Sequence, residues 1–188
     1  MAEPVRKRLR RRDVAGTARY LTFSCYRRLP LFSNDAIKAR FVADFTAAAD
    51  RFGVRVLAWV VMPEHVHLIV VPDGDEPLTP FLTASKRPIA VEAVRRWRSL
   101  GAPVLFRVTD PQGRPRFWQP GGGYDRNVVD AELIEKIRYT HANPVRRRLA
   151  ATPVGWPWSS ARRFAGDPTA IGPPIAFDLV PVHAAEVI

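Results

Sequence analysis

The chain has 188 residues, of which 47% are hydrophobic and 25% are charged, which excludes a wholly disordered chain and predicts one globular domain. Lys and Arg together number 29 against 18 acidic residues, giving a net charge of +11 and a pI near 10.9. So basic a domain usually binds a polyanion, and nucleic acid is the expected partner. A basic surface that is merely solvated ranks clearly lower as an alternative.

Two features of the composition concern the cellular compartment. The single cysteine, Cys25, cannot form an intramolecular disulfide or a cysteine zinc site, which favours a cytosolic protein. No apolar run approaches the ~20 residues that a membrane-spanning helix needs, so no membrane partner is expected.

The two ends of the chain differ in composition from its middle. Residues 1–13 carry two blocks of Lys and Arg, which predicts a disordered arm that either contacts DNA or is simply solvated. From Gly166 onward proline and small residues are frequent, which predicts a loosely attached tail over 166–188. The folded domain is therefore expected to span 14–165.

Hydrophobic periodicity predicts the elements of the first half of the domain. A strand over 20–26 is followed by a helix that begins at the cap Ser33 and stops at Gly53. Strands over 54–61 and 65–71 then flank a tight turn at 62–64. Thr79 and Pro80 open a second helix, which we expect to be interrupted at Pro88 before it continues to residue 100.

The second half of the domain is less regular. Residues 104–109 are compatible with a strand, and the last strand is expected within 116–128. Three glycines at 121–123 lack the spacing of a phosphate-binding loop and predict a flexible loop. Asp130 is expected to cap a final helix that Pro144 ends, with an apolar stripe at Leu133, Ile134 and Ile137.

The third predicted strand carries two histidines, His65 and His67, separated by one residue. Side chains two residues apart on a strand point to the same face, so both imidazoles can bind one metal ion. Taken alone, the pattern is more often two histidines on the polar face of a strand.

Tyr139 and Asn143 are four residues apart on the final predicted helix, so they share one face, away from its apolar stripe. An exposed tyrosine that packs on its neighbours is the common explanation of such a position. Beside a histidine pair in a strongly basic chain, a second hypothesis is coherent: Tyr139 as a phenolic nucleophile, and the Asn143 carbonyl oxygen as a third metal ligand.

Basic and aromatic residues supply candidates for nucleic-acid binding. The second helix is expected to display several basic side chains outward, each equally well explained as a solvated surface, and further arginines follow Pro144. Trp118 is a candidate for stacking on splayed bases. The basic candidates are Lys86, Arg87, Arg95, Arg96 and Arg98 on the helix, and Arg146 and Arg147 after Pro144.

Three segments together resemble a known family. MPEHVHLIV, RYTHANPVRRRL about seventy residues later, and then WPWSSARRF are similar to the REP-associated tyrosine transposases, which belong to the HUH single-strand transposases of the smallest bacterial insertion sequences. Each segment is short, but the three in this order are specific, and the resemblance covers about 18–164.

The resemblance implies an α+β fold, a ferredoxin-like antiparallel sheet with helices packed on one face. It implies that Tyr139 attacks a phosphodiester in single-stranded, hairpin-bearing DNA, giving a 5′-phosphotyrosine and a free 3′-hydroxyl. His65, His67 and Asn143 would hold Mg²⁺ or Mn²⁺ against the scissile phosphate. It also implies a bacterial cytoplasmic protein associated with the nucleoid, acting as a monomer or homodimer.

Because metal ligation requires neutral imidazoles, activity is expected to fall as the pH drops below ~6.5. A non-catalytic module that binds single-stranded nucleic acid is the alternative function. A histidine-triad nucleotide hydrolase is disfavoured, because the next alternate position holds Ile69 instead of a third histidine.

Overall fold

The protein is described by a computed structural model that covers residues 16–74, 78–121 and 123–181. The predicted basic arm at 1–13 lies outside the described residues, as do the last residues of the chain, 182–188. The elements in chain order are β1 (Ala18–Ser24), α1 (Asp35–Arg51), β2 (Val54–Val61), β3 (His65–Pro72), α2 (Thr79–Ser99), α3 (Val104–Val108), β4 (Tyr124–Val128), α4 (Asp130–Arg146) and α5 (Ala161–Phe164).

The four strands form one antiparallel sheet in the order β2-β3-β1-β4. Strands β2 and β3 are a hairpin joined by a three-residue turn, and β1 lies beside β3 because α1 carries the chain back across the sheet. This β-α-β-β-α-β arrangement is the ferredoxin-like fold, so the predicted α+β class is confirmed.

Side-chain alternation gives the sheet two different faces. The core face carries Phe23 and Trp59, and α1 and α2 pack on it, as predicted. The ring of Phe41 on α1 lies 6.1 Å from that of Phe23, and the ring of Phe45 lies 6.3 Å from that of Trp59. Phe45 also contacts Phe81 of α2, so the sheet and these two helices share one aromatic core.

The opposite face, here the histidine face, carries His67 and its cross-strand neighbour Thr22. Helix α4 packs on this face, so it is the exception to the prediction that the helices lie on one side. His141 on α4 bonds the Ser160 hydroxyl through Nε2 at 2.9 Å, and that hydroxyl accepts from the Trp59 backbone N–H, also at 2.9 Å. Both contacts are buried and tie α4 to β2.

Two predictions about prolines were wrong. Helix α2 runs without interruption through Pro88, and α4 continues two residues beyond Pro144. A proline removes one backbone donor and crowds one carbonyl, a local cost that the packing of a long helix can offset. Burial of Ser85, Ile89 and Ala93 on either side of Pro88 provides that packing.

The expected strand at 104–109 is instead the short helix α3. Its apolar residues do not alternate with polar ones, as they would in a strand at the edge of the sheet. The Thr109 backbone N–H and hydroxyl both donate to the Leu105 carbonyl, which closes a helical turn. The helix caps also differ by one residue from the prediction, since Asn34 caps α1 and Val129 precedes Asp130 at the start of α4.

The segment 166–181 is packed against the domain, so the expectation of a loose tail is wrong for these described residues. Ile175 forms a parallel bridge with Val56 of β2, and the Ala176 N–H donates to the Val56 carbonyl. Ile175 and Val180 are buried, and Arg55 pairs with Asp178. The segment thereby covers the outer edge of β2.

Among the described residues, none of the helices is both long enough and apolar enough to cross a membrane.

Candidate metal and tyrosine site

The two histidines of β3 converge on one point on the histidine face. His65 and His67 are buried, with 5% and 6% of their surfaces exposed, and their Nε2 atoms lie 2.9 Å apart. Two nitrogen ligands at ~2.1 Å from one ion and at right angles to each other are about 3 Å apart. The spacing of the pair therefore fits a shared metal ion.

The other ring nitrogen of His67 is held by two hydroxyls from β1. Its Nδ1 lies 2.8 Å from the Tyr20 hydroxyl and 2.7 Å from that of Thr22, because the antiparallel register places Thr22 opposite His67. A hydroxyl can donate or accept, so the two residues support either tautomer of His67. One of these tautomers leaves the Nε2 lone pair available to an ion.

The other ring nitrogen of His65 faces a carboxylate. Its Nδ1 lies 3.2 Å from Oε1 of Glu64, a residue that is 7% exposed. An ionised carboxylate only accepts, so Nδ1 carries the hydrogen and the Nε2 lone pair points toward His67. A histidine oriented in this way by a carboxylate is the arrangement common behind metal ligands.

Two arginines surround the Glu64 carboxylate. Arg147 approaches Oε1 through Nη2 at 2.9 Å, and Arg28 does so at 3.7 Å. Arg28 comes from the loop after β1, where its φ of 53° is unusual for a residue other than glycine. Arg147 was predicted as a nucleic-acid contact, and the structure places it beside the support of His65.

Burial sets the protonation of the two histidines. It lowers the pKa of His67 to about 3, helped by the nearby His65 and Arg28. Burial also lowers the pKa of His65, which Glu64 opposes and Arg28 and Arg147 reinforce. Both imidazoles are therefore neutral near pH 7, the form that binds metal. Burial likewise raises the pKa of Tyr20 to about 12, so its hydroxyl keeps its proton.

Tyr139 of α4 stands beside the histidine pair. Its ring centroid is 6.0 Å from that of His67 and 6.5 Å from that of Tyr20, both edge-to-face. The Arg146 guanidinium lies 5.1 Å over the same ring. Tyr139 is 38% exposed, so its phenol is reachable from solvent while the imidazoles beneath it are not.

Asn143 lies one helical turn beyond Tyr139 and is 8% exposed. Its side-chain nitrogen donates to the Tyr139 carbonyl at 2.8 Å, which leaves the side-chain carbonyl oxygen as the ligand atom that the metal hypothesis needs. Among the described residues, no group of three His, Cys, Asp or Glu side chains could hold a metal. An ion on the two histidines would therefore need a ligand of another type, such as this amide.

The predicted nucleic-acid residues divide into two groups. Arg87, Arg95, Arg96 and Arg98 are exposed along α2, as expected, and Arg146 is exposed at the end of α4. Lys86 is not displayed outward, which corrects the prediction. Its ammonium lies over the rings of Phe23 and Trp118, and Trp118 is itself half-buried, donating from Nε1 to the Lys86 carbonyl at 2.8 Å.

Sequence reasoning missed the residues that support the histidines. Glu64 precedes the first histidine directly, and that adjacency was the available signal. Tyr20 and Thr22 lie more than forty positions away, and only the pairing of β1 with β3 brings them to His67.

A ferredoxin-like domain of this kind is found in a solved structure of a REP-associated tyrosine transposase bound to a REP hairpin. That structure matches with a TM-score of 0.61 and 20% identity, covering 94% of this chain and 94% of that one, which shows a shared fold. The sequence is 26% identical over 107 residues to the REP-associated tyrosine transposase of Escherichia coli K12. The resemblance to REP-associated tyrosine transposases is therefore confirmed.

The sequence match covers 56% of this chain and 53% of the Escherichia coli protein, so the chain matches about half the length of that relative. No family model matches the chain.

Proposed function

We propose that this protein is a transposase-like enzyme that cleaves and transfers single strands of hairpin-bearing DNA through a covalent bond to Tyr139. The observation that carries the proposal is the convergence of His65 Nε2 and His67 Nε2 at 2.9 Å, beside the Tyr139 ring. The sequence similarity to a transposase supports the reaction class. The hairpin described with a protein of the same fold supports the substrate class.

Mg²⁺ or Mn²⁺ would be held by Nε2 of His65, Nε2 of His67 and the side-chain oxygen of Asn143. When bound, such an ion polarises the scissile phosphate and offsets the negative charge that develops on it. Glu64 orients His65, and the hydroxyls of Tyr20 and Thr22 orient His67. Burial keeps both imidazoles unprotonated and fixed in place.

The chemical step is a transesterification at phosphorus. A bond forms between the Tyr139 phenolic oxygen and the phosphorus atom, while the bond from phosphorus to the 3′ oxygen breaks. The phenol loses its proton and the departing oxygen gains one, giving a 5′-phosphotyrosine and a 3′-hydroxyl. The stored phosphodiester is then available to a second 3′-hydroxyl, which rejoins the strand and releases Tyr139.

Basic residues at the end of α4 and along α2 would hold the DNA backbone. Arg146 ends α4 over the Tyr139 ring and Arg147 follows it, whereas the exposed arginines Arg87, Arg95 and Arg96 lie along α2. Contacts to phosphates position a strand without reading its sequence. These arginines therefore account for affinity and orientation, and they leave recognition of bases to other residues.

The experiment that tests the proposal mixes the protein with Mn²⁺ and a pool of labelled single-stranded hairpin oligonucleotides, and separates the products on a denaturing gel. A protein–DNA adduct is expected with the unaltered protein. Neither Tyr139→Phe nor His65→Ala should form it, because the first lacks the nucleophile and the second lacks a metal ligand. Tyr26→Phe is the control, since it removes the hydroxyl of a tyrosine on the turn after β1, which has no part in the proposed reaction.

An adduct that survives Tyr139→Phe would show that another residue is the nucleophile. Tight binding across the pool without any adduct would favour the non-catalytic binding module.

A further inference from the structure

A cavity lies on the core face at the edge of the sheet, away from the histidines. It has a volume of about 460 Å³, within the range of pockets that hold small organic groups. Its floor is β1, one wall is the first half of α2, and the other is the loop before β4. The lining residues that matter here are Phe23, Thr83, Lys86, Arg87, Trp118 and Tyr124.

The ammonium of Lys86 is the unusual group in this cavity. It lies 4.7 Å from the centroid of the Phe23 ring and 5.3 Å from that of Trp118. Within the described parts of the chain, no carboxylate or carbonyl accepts a hydrogen bond from it. Burial lowers the pKa of Lys86, which reflects the hydration that this ammonium has lost. Its hydrogen-bond donors are therefore available to a ligand, and the two rings partly compensate the charge.

The walls of the cavity indicate what would supply that acceptor. Apolar and aromatic atoms form most of its surface, which suits a flat ring better than a bare phosphate. Arg87 stands at the rim, exposed and able to reach a phosphate attached to the ring. An aromatic ring that carries acceptor atoms and is linked to a phosphate is a nucleotide of a single strand.

Tyr124 connects this cavity to the proposed site of cleavage. It lines the cavity, yet its ring centroid lies 6.2 Å from that of Tyr20, whose hydroxyl bonds His67. The two sites thus lie on opposite faces of the sheet, on either side of β4. A strand that crosses this edge beside Tyr124 could therefore contact both sites.

We infer that this cavity binds one unpaired nucleobase of the DNA strand whose phosphate lies at Tyr139, with Lys86 donating to an acceptor atom on that base. The inference rests on the proposed function and adds to it a contact that distinguishes bases. The base lies in the single-stranded part of the substrate, because a base there enters the cavity without the cost of breaking a base pair.

The test measures binding by fluorescence anisotropy in a Tyr139→Phe background, so that no DNA is cleaved. Hairpin oligonucleotides with single-stranded flanks carry one abasic site, moved along the flank one position at a time. At the position that enters the cavity, loss of the base is expected to weaken binding roughly 5- to 100-fold. Lys86→Met, of similar length, should reduce that penalty to within about twofold.

A second variant keeps the test decisive if Lys86→Met does not fold. Thr83→Leu adds bulk at an exposed position of the rim and obstructs the cavity without altering Lys86. Arg96→Met is the charge-matched control: Arg96 lies on the same helix but outside the cavity. It should weaken binding of intact and abasic DNA by the same factor. The loss of affinity caused by the abasic site should therefore stay the same.

Loss of the penalty in both Lys86→Met and Thr83→Leu supports the inference. A penalty that persists in both variants overturns it and leaves the proposed function intact, as does equal binding of intact and abasic DNA at every position. Failure of any hairpin to bind overturns the proposed function, and the inference with it.

Discussion

The buried neutral histidines make the stability of the protein depend on pH. His67 has a pKa of about 3 in the folded protein and an ordinary value near 6.5 when unfolded. Between these values the unfolded chain binds a proton that the folded protein does not. The folded state is therefore destabilised as the pH falls below ~6.5, by several kcal/mol in total, at about 1.4 kcal/mol for each unit of pKa shift.

We predict that His67→Gln flattens this dependence. The free energy of unfolding of the unaltered protein, from urea titrations without metal, should decrease between pH 7 and pH 4.5. That of the variant should decrease much less, because glutamine does not titrate. Parallel curves for the two proteins would contradict a depressed pKa at His67.

The same shift corrects the expectation that activity falls below pH ~6.5. Burial lowers the pKa of both imidazoles, so they stay neutral, and competent as ligands, at a lower pH than an ordinary histidine. A decline in activity that began at pH 6.5 would then come from the stability of the fold and not from protonation of folded ligands. Comparing the activity profile with the unfolding curves separates the two causes.

A substitution of Glu64 tests the proposed metal site. Glu64→Gln keeps the shape of the side chain but removes the charge that orients His65 and pairs with Arg147. Loss of such a supporting group commonly lowers metal affinity roughly 10- to 100-fold. We predict a loss of this size in Mn²⁺ affinity, measured by calorimetry. Glu135→Gln, an exposed change on α4, should leave the affinity unaltered, and equal affinities in all three proteins would exclude the role of Glu64.

At the scale of elements, the approach of the loop before β4 to β1 depends on one glycine. A side chain on Gly123 would overlap with the Thr22 carbonyl oxygen, and its φ of 91° already disfavours other residues. The expectation of a merely flexible loop at 121–123 is therefore wrong for Gly123, although Gly122 lies outside the described residues. Close packing here also positions Thr22, which holds His67.

We predict that Gly123→Ala destabilises the protein by about 1–3 kcal/mol more than Gly121→Ala does. Gly121 is a matched control because its φ of 101° is similar, while a side chain there meets open space. The difference in melting temperature between the two variants measures the overlap alone. Equal destabilisation would mean that only the backbone angle matters.

The sequence correctly predicted those elements whose limits follow from their own hydrophobic pattern. The limits of β2 are those expected from its apolar run, and His65 and His67 share a face because strands alternate. The prolines of α2 and α4 led to wrong predictions. At Pro88, burial of the neighbouring residues outweighs the tendency of proline to interrupt a helix. The hydroxyls of Tyr20 and Thr22 could not be foreseen, because only strand register brings them to His67, whereas the adjacency of Glu64 to His65 was a signal in the sequence.

For the whole molecule, the net charge of +11 predicts how DNA binding responds to salt. Each phosphate that a basic side chain neutralises contributes about 0.7 to the slope of log affinity against log salt for a single strand. We predict that removing both Arg95 and Arg96 lowers this slope by about 1.4, from titrations between about 50 and 200 mM salt. Removing Arg51 of α1 and Arg107 of α3, two exposed arginines, is the control, and a slope that changed equally would show a diffuse effect of charge.

The covering of β2 has a consequence for how copies of the chain can associate. Residues 158–159 and 175–176 bond the outer edge of β2 near both of its ends. Strands add to a sheet only where backbone groups are unpaired. A second copy of the chain therefore cannot extend the sheet by adding a strand beside β2, and any association of copies has to use a surface other than this edge.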